Sequence, residues 1–150
     1  MAGNRFTIST EGTVIALVGT TLKTVLQVKA GANSRLKLKR WGVYFDGASA
    51  TAVPVLVELV VTSTDGTSTS VTPRKITSAT ETVQATAGKN FTVEPSVTNV
   101  VENILVHPQQ GYVEIVPEGF EIQVAGGSRL AMSITAPAAV NCQAEMMLDE

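Results

Sequence analysis

Hydrophobic and polar positions along this chain repeat mostly with a period of two. Leu130, Met132, Ile134 and Ala136 alternate with Ala131, Ser133 and Thr135. Val140, Cys142, Ala144, Met146 and Leu148 alternate with Asn141, Gln143, Glu145 and Met147. Phe120, Ile122 and Val124 alternate with Glu121 and Gln123. Successive side chains of a strand point to opposite faces, so each pattern predicts a strand with one buried and one wetter face. Residues 13–18 and 22–29 predict two more, flanking Gly19-Thr20, and Ala30-Gly31-Ala32-Asn33 predicts a turn. Residues 35–46 form the longest strand pattern, and its phase changes. Leu36 and Leu38 hold the apolar face at even positions, then Trp41, Val43 and Phe45 hold it at odd ones. A one-residue slip without loss of the apolar face predicts a β-bulge near Lys39-Arg40.

Residues 55–63 are apolar on both faces and predict a central strand, with Asp65-Gly66 turning it back. Residues 100–107 and 112–116 complete the set. Gly126-Gly127 reads as a hairpin turn into the strand that starts near Arg129, and Ala136-Pro137-Ala138-Ala139 as a tight connection between the last two strands. Residues 67–97 are rich in Thr, Ser and Ala with little sustained alternation. They predict a long excursion carrying one or two short edge strands.

About eight to ten short strands with turn signals between them predict an all-β fold. The uneven connections favour a two-sheet, jelly-roll-like sandwich with one long central loop over an up-and-down barrel. Residues 13–150 are expected to form that single domain. Residues 1–12 are expected to form an extended N-terminal arm, in which Phe6 and Ile8 alternate with Arg5, Thr7 and Ser9. Such an arm would add as a strand to a neighbour's sheet edge; a frayed terminus is the other reading.

Composition narrows the function. Charged residues are 16% of the chain against about 25% for a typical globular protein, and hydrophobic residues 44%. This is a foldable chain with a weakly charged, Thr- and Ser-rich surface suited to contact with other protein. The net charge of −2 argues against nucleic acid as a direct partner, since phosphate binding needs a concentrated basic face. The first residues lack a signal-peptide pattern, and no apolar run reaches the about 20 residues of a helical membrane span. The single cysteine, Cys142, lies in an alternating apolar pattern and reads as a buried free thiol.

The chemistry expected of an enzyme is thin, and no catalytic residue, metal or cofactor is assigned. His107 is the only histidine. Of the aspartates Asp46, Asp65 and Asp149, two sit in Asp-Gly turns. Glu114, Glu118 and Glu121 cluster around Val116-Pro117-Glu118-Gly119, but Glu114 and Glu121 read as outward positions on two strands. Gly126-Gly127 leads into a strand and so lacks the helix N-terminus that anion binding uses. The basic run has two readings. Arg35, Lys37 and Lys39 alternate with Leu36 and Leu38, so three cations would project from one strand face. They form either a solvated face that deters edge pairing or an electrostatic patch for an acidic protein partner. The candidate protein-contact residues are therefore Arg5, Phe6, Ile8, Arg35, Lys37 and Lys39.

Three segments carry a family resemblance: Leu36-Lys37-Leu38-Lys39-Arg40-Trp41-Gly42-Val43-Tyr44-Phe45-Asp46-Gly47, then His107-Pro108-Gln109-Gln110-Gly111-Tyr112, then Gly126-Gly127-Ser128-Arg129-Leu130 with Thr135-Ala136-Pro137-Ala138. In these the chain resembles the jelly-roll capsid decoration (cement) proteins of tailed bacteriophages, over most of its length from about Leu22. The resemblance implies a homotrimer made in the host cytoplasm and seated outside an icosahedral head, with the major capsid protein as partner. It implies no catalytic residues. An alternative from the same setting is a tail, baseplate or head-fibre component that binds a receptor or glycan. Trp41, Tyr44, Phe45 and Tyr112 would be its stacking platform, although Trp41 and Phe45 fall on the apolar strand face. A cupin-like enzyme shares the architecture but needs clustered metal ligands, usually several histidines.

Overall fold

A computed structural model describes residues 3–77 and 80–150. Among the described residues none is helical, and thirteen strands form two antiparallel sheets. They are β1 (Arg5–Ser9), β2 (Ile15–Leu17), β3 (Leu22–Lys29), β4 (Leu36–Phe45), β5 (Val55–Thr62), β6 (Thr67–Val71) and β7 (Arg74–Lys75). There follow β8 (Thr86–Val93), β9 (Val97–Val106), β10 (Gly111–Ile115), β11 (Gln123–Val124), β12 (Arg129–Thr135) and β13 (Val140–Asp149). One sheet runs β10-β4-β13-β1-β7, with β11 also on β4 and β2 also on β13; the other runs β6-β8-β3-β12-β5-β9. Within these orders lie β1-β13-β4-β10 and β3-β12-β5-β9. That is the eight-strand double Greek key of a jelly roll, and β6, β7 and β8 are an insertion between its fourth and fifth strands.

The alternating patterns set the core. Leu130, Met132 and Ile134 of β12 face Trp41, Val43, Cys142, Ala144, Met146 and Leu148 of the other sheet in one buried cluster. Phe45 and Val140 pack against its margin, half-buried. The bulge falls where the phase change predicted it. Met147 pairs with Arg40 and Leu148 with Leu38, which leaves Lys39 as the extra residue.

Four expectations need correction. First, residues 5–9 of the expected free arm are β1, paired with β13 on one side and β7 on the other. Phe6 and Ile8 are fully buried in the core. The alternation that suggested an arm is that of an internal strand, and the edge it would have sought on a neighbour is supplied by β13 of the same chain. Residues 1 and 2 lie outside the described residues.

Second, the C-terminal turns are crossovers between sheets rather than hairpins, since β11 and β13 lie in one sheet and β12 in the other. At the first of them the two glycines meet different demands. Gly127 has φ 76°, and a Cβ on Gly126 would lie 2.3 Å from the Ala32 carbonyl oxygen. Third, Asp65-Gly66 does not fold β5 back on itself. The chain passes across the sheet to its far edge, where β6 pairs with β8.

Fourth, the central excursion is more ordered than its composition suggests. β8 pairs with β3 over residues 86–89, then Asn90 takes φ 52° and the chain turns over the outward face of that sheet. There Phe91 is buried. The Thr24 amide donates to Glu94 Oε2 (2.8 Å), and the Ser96 amide to Thr64 Oγ1 (2.8 Å). Beneath this cover sit Thr24, Gln27, Val60, Thr62, Ala131 and Ser133, all buried though they alternate away from the main core. This second layer explains why residues 55–63 are apolar on both faces.

Candidate protein-contact surfaces

The residues singled out from the sequence do not form one exposed patch. Phe6 and Ile8 are core, and Arg5 is held bidentately by Asp149 at 2.6 and 2.9 Å. That geometry lowers the Asp149 pKa. Lys39, displaced by the bulge, lies 2.5 Å from Glu121 and 3.7 Å from Asp149. Arg5, Asp149, Lys39 and Glu121 are thus one chain of alternating charges that pins β1, β13, β4 and the segment before β11 together. Arg35 donates to Gln123 Oε1 at 3.3 Å. Among the described residues Lys37 is left exposed with no acid within 4 Å. Of the basic row, only Lys39 is paired with carboxylates; Arg35 meets the neutral Gln123, and Lys37 keeps its charge exposed.

The remaining polar groups also serve local structure. His107 Nδ1 accepts from the Gln109 amide (3.2 Å) in the turn that leads to β10. The Asp46 carboxylate accepts from the amide and side chain of Asn141 at 2.9 and 2.8 Å, which lowers its pKa and ties β4 to β13. Asp65 joins Arg129 at 2.5 Å and Lys29 at 3.3 Å across the ends of three strands. Lys89, buried between the sheets, donates to the Thr10 carbonyl and Thr13 Oγ1 (3.2 Å each) and to Glu11 (3.1 Å). Trp41 is in the core, where its ring meets Tyr112 at 5.3 Å. Tyr44 and Tyr112 are exposed but occupy opposite faces of their sheet, since Tyr112 stands in register with buried Val43. The four aromatic residues therefore make no shared stacking platform.

A different surface stands out. Among the described residues β9 pairs only with β5, and β10 only with β4, so each sheet ends in an edge strand on the same side of the sandwich. Both strands are apolar and exposed. Val97, Val100, Val101 and Leu105 on β9, and Tyr112, Val113 and Ile115 on β10, reach solvent; Leu105 is 70% and Ile115 75% exposed. Between β10 and β11 the chain leaves the ladder at the bulge, and the Phe120 amide closes a turn onto the Pro117 carbonyl (3.1 Å). Glu121 fixes that turn through the Gly119 amide (2.8 Å) and leaves Phe120 80% exposed. At the mouth between the sheets, Glu102 of β9 meets Glu114 of β10. Burial first, and the neighbouring carboxyl second, push the Glu102 pKa up to about 7. Glu114, read from the sequence as outward, thus faces Glu102 and accepts from the Tyr112 hydroxyl (3.1 Å).

The sequence carried a signal for this surface. Val97-Thr98-Asn99-Val100-Val101-Glu102-Asn103-Ile104-Leu105-Val106 is apolar on both faces, as β5 is. Only the strand order shows that β5 is central and β9 an edge.

No family model matches this sequence, and no curated protein is similar to it. Among solved structures, VP17, a capsid protein of bacteriophage P23-77, aligns over 100% of this chain and 99% of its own. The identity is 11% and the TM-score 0.15, a level of likeness that carries no argument about fold or role.

Proposed function

We propose that this chain is a non-enzymatic structural protein of a bacteriophage virion. It seats on the outside of an icosahedral capsid and bridges or stabilises its subunits. The observation that carries this reading is the uncovered side of the sandwich. A soluble domain ordinarily blunts its edge strands with charge, proline or cover, and keeps large apolar side chains off them. Here two adjacent edges carry seven exposed large hydrophobic side chains, with Phe120 beside them. The jelly-roll strand order and the resemblance to decoration proteins favour a capsid as the setting for that contact. His107, Asp46, Asp65 and Glu121, occupied in holding turns and strands together, favour a binding role over a catalytic one.

The test is direct binding. Purified protein is mixed with undecorated heads of the phage that carries its gene, and the heads are sedimented. Co-sedimentation that saturates at a fixed number of copies per capsid, with heads more resistant to heat, is expected. No co-sedimentation, or binding without saturation, would overturn the reading.

A further inference from the structure

The outward face of the second sheet is only partly covered. Residues 90–96 cross one part of it; beside them, over β3 and β8, a cleft of about 300 Å³ stays open. It is lined by residues 65–68, which lead into β6, and by Gln27, Lys29, Thr86 and Gly88 of β3 and β8. Gln27 is only 5% exposed, and its amide nitrogen donates to Thr62 Oγ1 (2.7 Å) and to the Thr64 carbonyl (3.2 Å). A carbonyl can only accept, so the nitrogen must hold that position and Oε1 is the atom left over. Among the described residues Oε1 has no hydrogen-bond partner, and neither have the hydroxyls of Thr67, Ser68 and Thr86. Ser68 Oγ reaches over Gly88, 2.1 Å from where a Cβ would stand, so the absence of a side chain at 88 admits it. Charge at the rim is unbalanced. Asp65 accepts from Arg129 Nε at 2.5 Å and from Lys29 Nζ at 3.3 Å, so one carboxylate serves two cations. Lys29, the more loosely held, keeps protons free to donate to another oxygen.

These groups select the chemistry of a ligand. An apolar ligand would strip water from Gln27 Oε1 and the hydroxyls without replacing it. A bare anion would suit Lys29 but would meet the Gln27 oxygen acceptor to acceptor. A molecule with several hydroxyls satisfies that oxygen and the Ser and Thr side chains, which both donate and accept. A carboxylate on the same molecule takes up the free charge of Lys29. The volume lies at the lower end of small-molecule sites, enough for one sugar unit. We propose that the cleft binds an acidic sugar residue, a pyranose bearing a carboxylate, whose hydroxyls meet Gln27 Oε1, Ser68 and Thr86 and whose carboxylate meets Lys29. The site shares no residue with Trp41, Tyr44, Phe45 and Tyr112 and needs no aromatic platform. β8 and β3 lie toward the opposite end of their sheet from β9. With the β9–β10 side against a capsid, that contact leaves the cleft uncovered on the particle, where it meets the sugars of other surfaces. This placement rests on the proposed function; the binding itself does not.

The test is a nuclear magnetic resonance titration of the isotope-labelled full chain, without capsids, so its failure is read separately from a failure to co-sediment with heads. The probes are methyl glucuronide, methyl galacturonide and N-acetylneuraminic acid, with methyl glucoside and sodium acetate as controls. A single sugar unit has few atoms, so binding at about 1–10 mM is expected. At least one acidic sugar should give saturable shifts confined to the Gln27 side-chain amide and the backbone amides of residues 27–29, 65–68 and 86–88. The glucoside, lacking the charge, should bind about tenfold more weakly or less. Lys29→Gln should bring the acidic sugar down to the level of the glucoside, and Ser68→Leu, which fills the cleft, should abolish both. Each variant should keep the β-type circular dichroism spectrum, and the native titration stands without them. The proposal is overturned if none of the three acidic sugars shifts these amides by about 50 mM, well above a millimolar constant. Acetate that produces the same shifts at the same concentrations overturns it too, since the site then takes a bare anion. So does a folded Lys29→Gln protein that binds the acidic sugar as the native one does.

Discussion

Lys39 Nζ lies 2.5 Å from Glu121 Oε1, and the two side chains are only 19% and 4% exposed. Lys39 is the extra residue of the β4 bulge, between Leu38, which pairs with Leu148, and Arg40, which pairs with Met147. The ammonium, aided by backbone amides including that of Gly119, pulls the Glu121 pKa down from 4.5 to about 2. The folded carboxyl thus holds its proton less tightly than the unfolded one. Its contribution to stability is complete above about pH 4.5 and is lost as pH falls toward 2. Glu121→Gln should lower the urea midpoint at pH 7 and flatten its decline between those pH values. An unchanged acid limb would show that the pair does not stabilise the fold.

Glu102 works in the opposite sense. Its pKa is raised from 4.5 to about 7, so the folded state binds the proton more tightly than the unfolded one. That contribution is complete below about pH 4.5 and is lost as pH rises through 7. The groups around it are Glu114 and the Tyr112 hydroxyl on β10. β5 presents Leu59 at the paired position. Glu102→Gln keeps the shape and removes the ionisation. Native protein should lose stability between about pH 5 and 8, while the variant should not. Parallel profiles across that window would contradict the raised value.

How much of this was legible beforehand depends on distance along the chain. Alternation fixed the faces of β4, β12 and β13, and the change of phase located the Lys39 bulge, because both are local consequences of a two-residue repeat. Strand neighbours were not legible. Residues 126–127 and 136–139 carry turn chemistry that suits a hairpin and a crossover equally. Only the packing of β12 between β3 and β5 decides between them. The placement of Phe6 and Ile8 at the surface failed for the same reason. Phe6 and Ile8 have the same pattern in a free arm as in an inner strand, and the exposure of Leu105 depends on β9 having nothing beyond it.

The inner position of β1 makes a prediction that separates strand from arm. Phe6 is fully buried, in register with Leu148, and covered by β7 on its far side. Phe6→Ala should cost about 3–5 kcal/mol by chemical denaturation, as for other large-to-small changes at closed core sites. Deletion of residues 1–10 should give a chain that does not fold, rather than a folded one that has lost a partner. A truncated protein with a native β spectrum and a cooperative transition would restore the arm.

Cys142 and Ile134 probe the core from its two sheets. Ile134 is fully buried on β12, and Ile134→Ala should cost about 2–5 kcal/mol. Cys142 on β13 is 2% exposed, and burial, with Asp46 as a further cause, pushes its thiol up to about 12. Only a thiolate reacts readily with disulfide reagents, so the native protein should label far more slowly than the unfolded one at pH 8. Labelling of native protein at the rate of an unfolded control would place Cys142 at the surface.

The last prediction concerns the insertion over the second sheet. Thr- and Ser-rich composition suggested a loop, yet Phe91 is 1% exposed where residues 90–96 cross the outward face. Beneath it the Gln27 amide nitrogen donates to Thr62 Oγ1 at 2.7 Å, and the Thr24 and Ser133 hydroxyls meet at 3.1 Å. Buried polar pairs of this kind are stable only while water is kept from one side and every partner is present. Removing the phenyl ring therefore does two things: it leaves a cavity, and it opens the layer to solvent. Phe91→Ala should cost about 3–5 kcal/mol. It should also make the chain between residues 86 and 97 a site of rapid proteolysis under native conditions, where the unaltered protein resists. If Phe91→Ala leaves both the unfolding midpoint and the proteolysis pattern unchanged, the insertion is a surface loop and the second layer does not contribute to the fold.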